Sequence, residues 1–164
     1  MATHTDIQTT VSSPAADVHA ALTSPEFWTY FAQNLSTTPG EVNEFNNTDD
    51  GVEVVLYEIM AKSMLPENVQ ALIKNDLNVK RTIRWTGLSG DAASSVVEAE
   101  IKGAPVSYNG TQKLSGAEAT TIDTELDVSV NIPFMGAAME PKVVDALQQL
   151  YAREAEVIAE YLAK

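Results

Sequence analysis

Arg81 is the residue whose position in this sequence most strongly suggests chemistry. If residues 77–87 form a strand, Arg81 shares one face with four apolar residues: Leu77, Val79, Ile83 and Trp85. A guanidinium buried on such a face without a partner costs about 3–5 kcal/mol, so it needs a carboxylate beside it. That carboxylate could belong to a ligand, which the planar guanidinium would bind through two parallel hydrogen bonds. Arg81 is therefore predicted to be a ligand-binding residue.

Two other interpretations of Arg81 stay open. Glu58 lies in a second strand-like segment, residues 52–61, and could neutralise Arg81 from within the chain. Glu58 shares its face with four apolar residues: Val52, Val54, Leu56 and Met60. Alternatively, a bulge next to Lys80 would turn the Arg81 side chain outward into solvent. In both cases Arg81 would have a structural role without a ligand.

Further side chains are predicted to face a cavity together with Arg81 and Glu58. Tyr108 and Gln112 lie on the predicted inner face of residues 106–115, where they could hydrogen-bond a carbonyl or hydroxyl of a ligand. Backbone groups or water could equally satisfy them. Six larger side chains could line an apolar pocket or belong to an ordinary core: Tyr57, Met60, Trp85, Phe134, Met135 and Met139.

The sequence contains no motif of a metal, a cofactor or a covalent nucleophile. His4 and His19 are far apart, and neither has metal ligands at a recognisable spacing. The chain has no cysteine, no Gly-x-Ser-x-Gly, no phosphate-binding loop and no dinucleotide fingerprint. We therefore predict no metal and no cofactor, and the sequence assigns no catalytic residue.

Composition limits the partners of the chain. It has 164 residues, a formal net charge of −13 and 45% hydrophobic residues, which predicts one domain over residues 1–164. Such an acidic surface disfavours nucleic acid and anionic lipid headgroups. No apolar stretch reaches the ~18 residues that a membrane-spanning helix needs. The first residues lack a basic segment followed by an apolar run, so we expect a cytoplasmic protein. Nothing in the pattern indicates an oligomeric state.

The segments that must position these residues carry strand and helix signals in turn. Strand-like alternation covers residues 3–11, 41–46, 52–61, 77–87, 94–102, 106–115 and 119–132. Ser13-Pro14 and Ser24-Pro25 each predict the start of a short helix, with a capping hydroxyl before a proline at the first helical position. Asp50-Gly51 predicts a two-residue hairpin turn. Residues 63–75 break the strand pattern and predict a helical insertion that could act as a lid.

Residues 136–164 predict one long amphipathic helix. Its apolar stripe consists of Met139, Val143, Leu147, Leu150, Val157, Ile158, Tyr161 and Leu162. A long terminal helix after about seven strands predicts an α+β fold, with two short helices after the first strand. In that fold a curved antiparallel sheet surrounds the C-terminal helix, and a cavity lies between them.

At this level the chain resembles the START-like (SRPBCC, helix-grip) superfamily over essentially its whole length. The residues that carry the resemblance are Val11-Ser12-Ser13-Pro14-Ala15-Ala16-Asp17-Val18, Leu22-Thr23-Ser24-Pro25-Glu26-Phe27-Trp28 and the corner Ile132-Pro133-Phe134-Met135-Gly136. The corner resembles an uncharacterised bacterial branch of the superfamily, which has no assigned activity. The superfamily includes lipid carriers, hormone binders, polyketide cyclases and oxygenase subunits. The resemblance therefore implies a cavity for a hydrophobic ligand without choosing an activity.

Three functions follow from these expectations. The first is binding or carriage of a small hydrophobic ligand, such as a lipid, a polyketide-like molecule or an aromatic acid, in a cavity of several hundred Å³. The second is a cyclase or dehydratase in which Arg81, Glu58 or Tyr108 would act in that cavity. The third is a partner-binding module with a filled core, for which the aromatic residues from Phe27 to Phe31 would have to form an exposed patch.

Overall fold

The computed structural model describes residues 2–35, 39–60, 67–71, 76–102, 105–131 and 136–164, without the side chains of Ala2, Met60, Asn68, Val69 and Ala137. The strands within these residues are β1 (Ala2–Val11), β2 (Glu41–Asn47), β3 (Gly51–Met60), β4 (Leu77–Thr86), β5 (Ala92–Lys102), β6 (Val106–Ser115) and β7 (Thr120–Val130). The helices are α1 (Ala15–Leu22), α2 (Pro25–Asn34), α3 (Glu67–Gln70) and α4 (Gly136–Leu162).

The seven strands form one antiparallel sheet in the order β1-β7-β6-β5-β4-β3-β2. Each strand from β2 to β6 pairs with the next along the chain, and β1 pairs with β7. Helix α4 packs against β1 and β7, and α1 and α2 pack against α4. This confirms the predicted α+β helix-grip fold. Of the described helices, none is both long enough and apolar enough to cross a bilayer.

The strand alternation defines an inner face of the sheet, which lies toward the helices. In β4 the buried positions are Leu77, Val79, Arg81, Ile83 and Trp85, and the intervening side chains are mostly exposed. Strand β7 alternates in the same way. The aromatic residues Phe27, Trp28 and Phe31 of α2 are at most 1% exposed, so they belong to the core beneath this face. They do not form the exposed patch that the partner-binding hypothesis requires.

Local details differ from the sequence prediction in two places. Neither short helix has a side-chain capping hydrogen bond, and the residue before α1 is Pro14 itself rather than Ser13. Thr48 and Gly51 exchange backbone hydrogen bonds, so the turn between β2 and β3 is centred on Asp49-Asp50 and not on Asp50-Gly51. Of the predicted insertion, residues 67–70 are helical. Residues 63–66 and 72–75 lie outside the described residues, so the lid stays a prediction.

Gly110 permits a close approach between β6 and β7. A Cβ atom at this position would lie 1.8 Å from the carbonyl oxygen of Glu125 and 2.9 Å from the Cα of Leu126. Both contacts are with backbone, which cannot move aside as a side-chain end could. A glycine within a strand often marks such a contact. The pairing of these two strands, which are second and third from one edge of the sheet, therefore depends on a residue without a side chain.

We predict that Gly110→Ala lowers the free energy of unfolding by about 1–3 kcal/mol, because β6 and β7 must separate to admit the methyl group. Gly87→Ala is the matched control, since a Cβ there would lie 3.6 Å from the nearest neighbouring atom, an ordinary contact. That control should change stability by less than about 1 kcal/mol. Urea unfolding at one pH measures both. Equal stability of the two variants would contradict the assignment.

Candidate functional site

Arg81 lies at the centre of a buried cluster between the sheet and α4. In the register it pairs with Leu56 of β3 and Ala99 of β5, both buried, so its side chain is on the inner face. It is 0% exposed. Its Nη2 donates to Glu58 Oε1 at 2.5 Å, and its Nη1 donates to Glu154 Oε2 at 2.9 Å. One guanidinium thus joins three elements, β3, β4 and α4.

Aromatic rings complete the surroundings of the guanidinium. The Arg81 Cζ lies 5.4 Å from the ring centroid of Phe31 and 5.8 Å from that of Tyr151, which is within the range of cation–π attraction. Burial by itself lowers the pKa of Arg81, but the carboxylates of Glu154 and Glu58 outweigh it and hold the pKa well above its usual range. Arg81 is therefore positively charged at any physiological pH.

Glu154 is the member of this cluster that the sequence analysis missed. It is 9% exposed, and loss of solvation raises its pKa to about 7, although the charge and hydrogen bond of Arg81 act in the opposite direction. A signal was present in the sequence. Glu154 lies four residues after Leu150 and four before Ile158, so helical spacing places it on the apolar stripe of α4. A stripe defined by apolar residues alone does not include a carboxylate.

Four buried polar atoms in this region have no hydrogen-bond partner among the described residues: Arg81 Nε, Trp85 Nε1, the Tyr108 hydroxyl and the Tyr151 hydroxyl. Burial raises the pKa of Tyr108 to about 12 and that of Tyr151 well above its usual range, so both hydroxyls keep their protons. The two tyrosines influence each other's pKa, yet their hydroxyls do not meet the distance and angle of a hydrogen bond. Each of the four atoms can act as a donor.

A small cavity lies beside two of these four residues, Trp85 and Tyr151. About 20 Å³ of it is open to the centre of a water molecule, which is room for about one water. Its polar wall includes Trp85, Gln112, Tyr151 and Glu154. The Gln112 amide accepts a hydrogen bond from Ser95 Oγ at 3.4 Å and donates one to Thr124 Oγ1 at 3.2 Å. The apolar wall is formed by Leu22, Trp28, Phe31, Ile122, Ala155 and Ile158.

The remaining predicted site residues lie elsewhere. Tyr57 pairs with Lys80 and is half-buried on the opposite face of the sheet from Arg81, so grouping it with the inner-face residues was wrong for the register observed. Met139 is 2% exposed near the start of α4. The side chain of Met60 is not described, and Phe134 and Met135 lie outside the described residues.

The outer face of the sheet carries a second cluster, around His4. Pairing of β1 with β7 places His4 Nδ1 2.9 Å from Asp127 Oδ1, and its Nε2 is 2.9 Å from Asp6 Oδ1. The hydrogen bonds to Asp127 and Asp6 raise the pKa of His4. Ligand atoms of His4, Asp6 and Glu125 lie within 4.8 Å of one another, so they could hold a metal ion, but all three residues are exposed. The sequence analysis did not find this cluster because 123 positions separate His4 from Asp127.

We predict that Arg81→Met lowers the free energy of unfolding by about 3–5 kcal/mol, because it leaves two carboxylates buried without a cation. Arg84→Met is the matched control. Arg84 lies on the outer face of the same strand, and its Nε donates to Glu53 at 2.6 Å in solvent, so its removal should cost less than about 1 kcal/mol. The triple variant Arg81→Met, Glu58→Gln and Glu154→Gln should regain much of the loss. A triple variant no more stable than Arg81→Met would contradict the electrostatic explanation.

We also predict that the stability of the wild type falls relative to that of Glu154→Gln as pH rises from about 4.5 to about 7. The folded-state pKa of Glu154 is raised, so the folded protein binds its proton more tightly than the unfolded chain does. That stabilisation is complete below the unfolded pKa and is lost as pH passes the folded one. Unfolding curves at several pH values measure the difference, and Glu156→Gln controls for the removal of one exposed charge from α4. A difference independent of pH would refute the raised pKa.

Structural comparison places the fold among proteins of known structure. The chain is similar to the ZhuI aromatase/cyclase of a Streptomyces species, with a TM-score of 0.64 and 11% identity over 99% of this chain and 94% of that one. It is similar to norcoclaurine synthase of Thalictrum flavum in complex with dopamine and hydroxybenzaldehyde, with a TM-score of 0.54, 14% identity and coverage of 99% and 87%. A START superfamily protein of Mycobacterium smegmatis gives a TM-score of 0.54, 12% identity and coverage of 98% and 97%. At such identities these likenesses concern the fold, which is the START-like helix-grip fold.

Sequence comparison gives a narrower assignment. Uncharacterized proteins of Mycobacterium bovis and Mycobacterium tuberculosis are 28% identical to this chain over 162 residues, which cover 91% of this chain and 90% of theirs. Residues 6–162 match the family described as "Protein of unknown function (DUF2505)", and that match begins within β1 and continues to the end of α4. The chain therefore belongs to the DUF2505 family, a branch with the START-like fold.

Proposed function

We propose that this protein binds a small, largely apolar molecule in the interior between the sheet and α4, with the polar group of that molecule beside Arg81. The observation that carries the proposal is the set of four buried donors without partners: Arg81 Nε, Trp85 Nε1 and the hydroxyls of Tyr108 and Tyr151. Leaving a buried donor unsatisfied costs about 1–3 kcal/mol each. A bound molecule that accepts hydrogen bonds would remove much of that cost.

The comparisons support this location in general terms. The similar folds include enzymes that act on small molecules, and one of them holds two small aromatic compounds. Lipids, polyketide-like molecules and aromatic acids are the ligand classes that we consider. A mixed wall, with apolar side chains on one side and a few hydrogen-bonding groups on the other, is typical of small-molecule sites.

The volume of the cavity sets a condition on binding. About 20 Å³ is far below the several hundred Å³ that a site for such a ligand needs. The ligand must therefore displace side chains of the cavity wall, or α4 must move from the sheet. When binding requires such a rearrangement, the association rate constant lies below the diffusion limit. We therefore expect slow association of the ligand.

Glu154 supports a second candidate, an enzyme that uses the same cavity. It lines the cavity, and a pKa of about 7 lets a carboxyl group both give and take a proton near neutral pH. Of the residues considered at first for this role, Arg81 keeps its proton, and neither Glu58 nor Tyr108 lines the cavity. If the protein is an enzyme, Glu154 is the residue that we propose as its acid or base.

We predict that the double variant Tyr108→Phe and Tyr151→Phe binds the ligand about 5- to 100-fold more weakly, since it loses two hydrogen bonds worth about 0.5–1.5 kcal/mol each. Without ligand it should be at least as stable as the wild type, because it no longer buries two unsatisfied hydroxyls. Thermal shift with a panel of fatty acids, polycyclic phenols and aromatic acids finds a ligand, and titration calorimetry measures its affinity. Tyr30→Phe is the control, as Tyr30 is half-buried beside Lys164.

Two results would overturn the proposal: no stabilisation by any member of the panel, or equal affinity of the double variant and the wild type. The enzyme candidate needs one further measurement. NMR of each bound compound over hours detects its conversion, which Glu154→Gln should abolish without abolishing binding. Compounds that bind but stay unchanged favour the carrier.

A further inference from the structure

Resting on the proposed function, we infer that the polar group of the ligand is an uncharged oxygen acceptor, such as a ketone carbonyl or a hydroxyl, and not a carboxylate. This reverses the simplest expectation for an arginine in an apolar interior. The inference follows from what the guanidinium already binds and from which hydrogen-bonding groups remain.

The charge of Arg81 is already neutralised. Its two terminal nitrogens donate to separate carboxylates, Glu58 at 2.5 Å and Glu154 at 2.9 Å, so its positive charge is already shared between two anionic partners. One guanidinium against two carboxylates gives a local charge of −1, or of zero when Glu154 is protonated. A ligand anion would enter a region that is neutral or negative, and it would lose its hydration without gaining a counter-ion.

The groups that remain are donors. Trp85 Nε1 and Arg81 Nε can only donate, and the hydroxyls of Tyr108 and Tyr151 have no partner among the described residues. Gln112 does not change this balance, because its amide is bonded to Ser95 and Thr124. A carbonyl or hydroxyl oxygen has two lone pairs, so it can accept from two of these donors without bringing a further negative charge beside Glu58 and Glu154.

The same set of hydrogen-bonding groups disfavours a cationic ligand. Glu154 is the carboxylate that lines the cavity, and it already accepts a hydrogen bond from Arg81. A ligand ammonium group would compete with that bond and would lie near the positive charge of Arg81, and of the unpartnered groups only the two tyrosine hydroxyls could accept from it. The apolar remainder of an uncharged ligand would contact Phe31, Ile122 and Ile158 on the other wall.

The test uses two series of compounds in which only the polar group varies. The first consists of 2-acetylnaphthalene, 2-naphthol, 2-ethylnaphthalene and 2-naphthoate, and the second of 2-dodecanone, 2-dodecanol and laurate. Titration calorimetry or competition at pH 7.5 gives each affinity. We expect the ketone or the hydroxyl compound to bind about tenfold more tightly than the hydrocarbon, a difference of one or two hydrogen bonds. The carboxylate should bind more weakly than the hydrocarbon.

The outcomes separate the inference from the proposed function. If a carboxylate binds as tightly as the matching ketone, the inference is wrong, but binding in the interior stands. If no member of either series binds, the proposed function and the inference both fall. Tight binding of ketone and hydrocarbon alike would also overturn the inference, since the donors would then contribute nothing.

Variants show whether the named groups cause the selectivity. Tyr108→Phe with Tyr151→Phe should bring the affinity for the ketone down to that for the hydrocarbon and leave the hydrocarbon affinity within about twofold. Glu154→Gln removes one negative charge and should raise the affinity for the carboxylate by about tenfold, because Arg81 then has one anionic partner fewer. Tyr30→Phe should change no ratio. A change in every affinity by the same factor would indicate a purely structural effect and would count against the inference.

Discussion

The burial of one positive charge governs the interior of this protein. Arg81 has no contact with solvent, so its charge must be met by groups of the protein itself, and these come from a neighbouring strand and from the C-terminal helix. Removing one partner of such a cluster is costly, which ties α4 to the sheet at Glu154. The two aromatic rings beside the guanidinium, from Phe31 of α2 and Tyr151 of α4, extend the same constraint to a second helix.

A buried ion cluster is poor evidence for stability, because apolar residues of similar volume often stabilise a core as well or better. The inner face of the sheet nevertheless carries several polar side chains. Ser95, Gln112 and Thr124 form a hydrogen-bonded row across β5, β6 and β7, next to the cavity that Glu154 also lines. Polar groups that are expensive to bury, together with donors left unpaired, support the proposed site for the polar group of a ligand.

The parts of this site that were predictable from sequence depend on local periodicity. Strand alternation placed Arg81, Trp85, Tyr108 and Gln112 on one face correctly, because a period of two needs only the neighbouring residues. The grouping of Tyr57 with the cavity residues was wrong because it ignored this alternation, which places Tyr57 on the face opposite to Glu58. Glu154 was missed because only apolar residues were assigned to the buried stripe of the helix. A buried carboxylate at this position has a physical reason only when Arg81 is known to face it.

Other features could not be predicted because they depend on distances across the fold. The His4 cluster requires the register of β1 against β7, which no local pattern encodes. Gly110 is unremarkable in the sequence, and only the position of the Glu125 carbonyl shows that a side chain has no room there. The cavity volume depends on how all side chains pack. The helix-grip fold was therefore predicted correctly, whereas the predicted cavity volume was too large.

The proton on Glu154 connects the charge balance to the proposed selectivity. Desolvation raises its pKa to about 7, so near neutral pH the cluster alternates between a net charge of zero and −1. An apolar molecule that fills the adjacent cavity removes more water and favours the protonated form further. Protonation of Glu154 and occupation of the site are then coupled. On this argument an uncharged ligand and a protonated Glu154 stabilise each other, whereas a ligand anion is opposed by Glu58 in either state of Glu154.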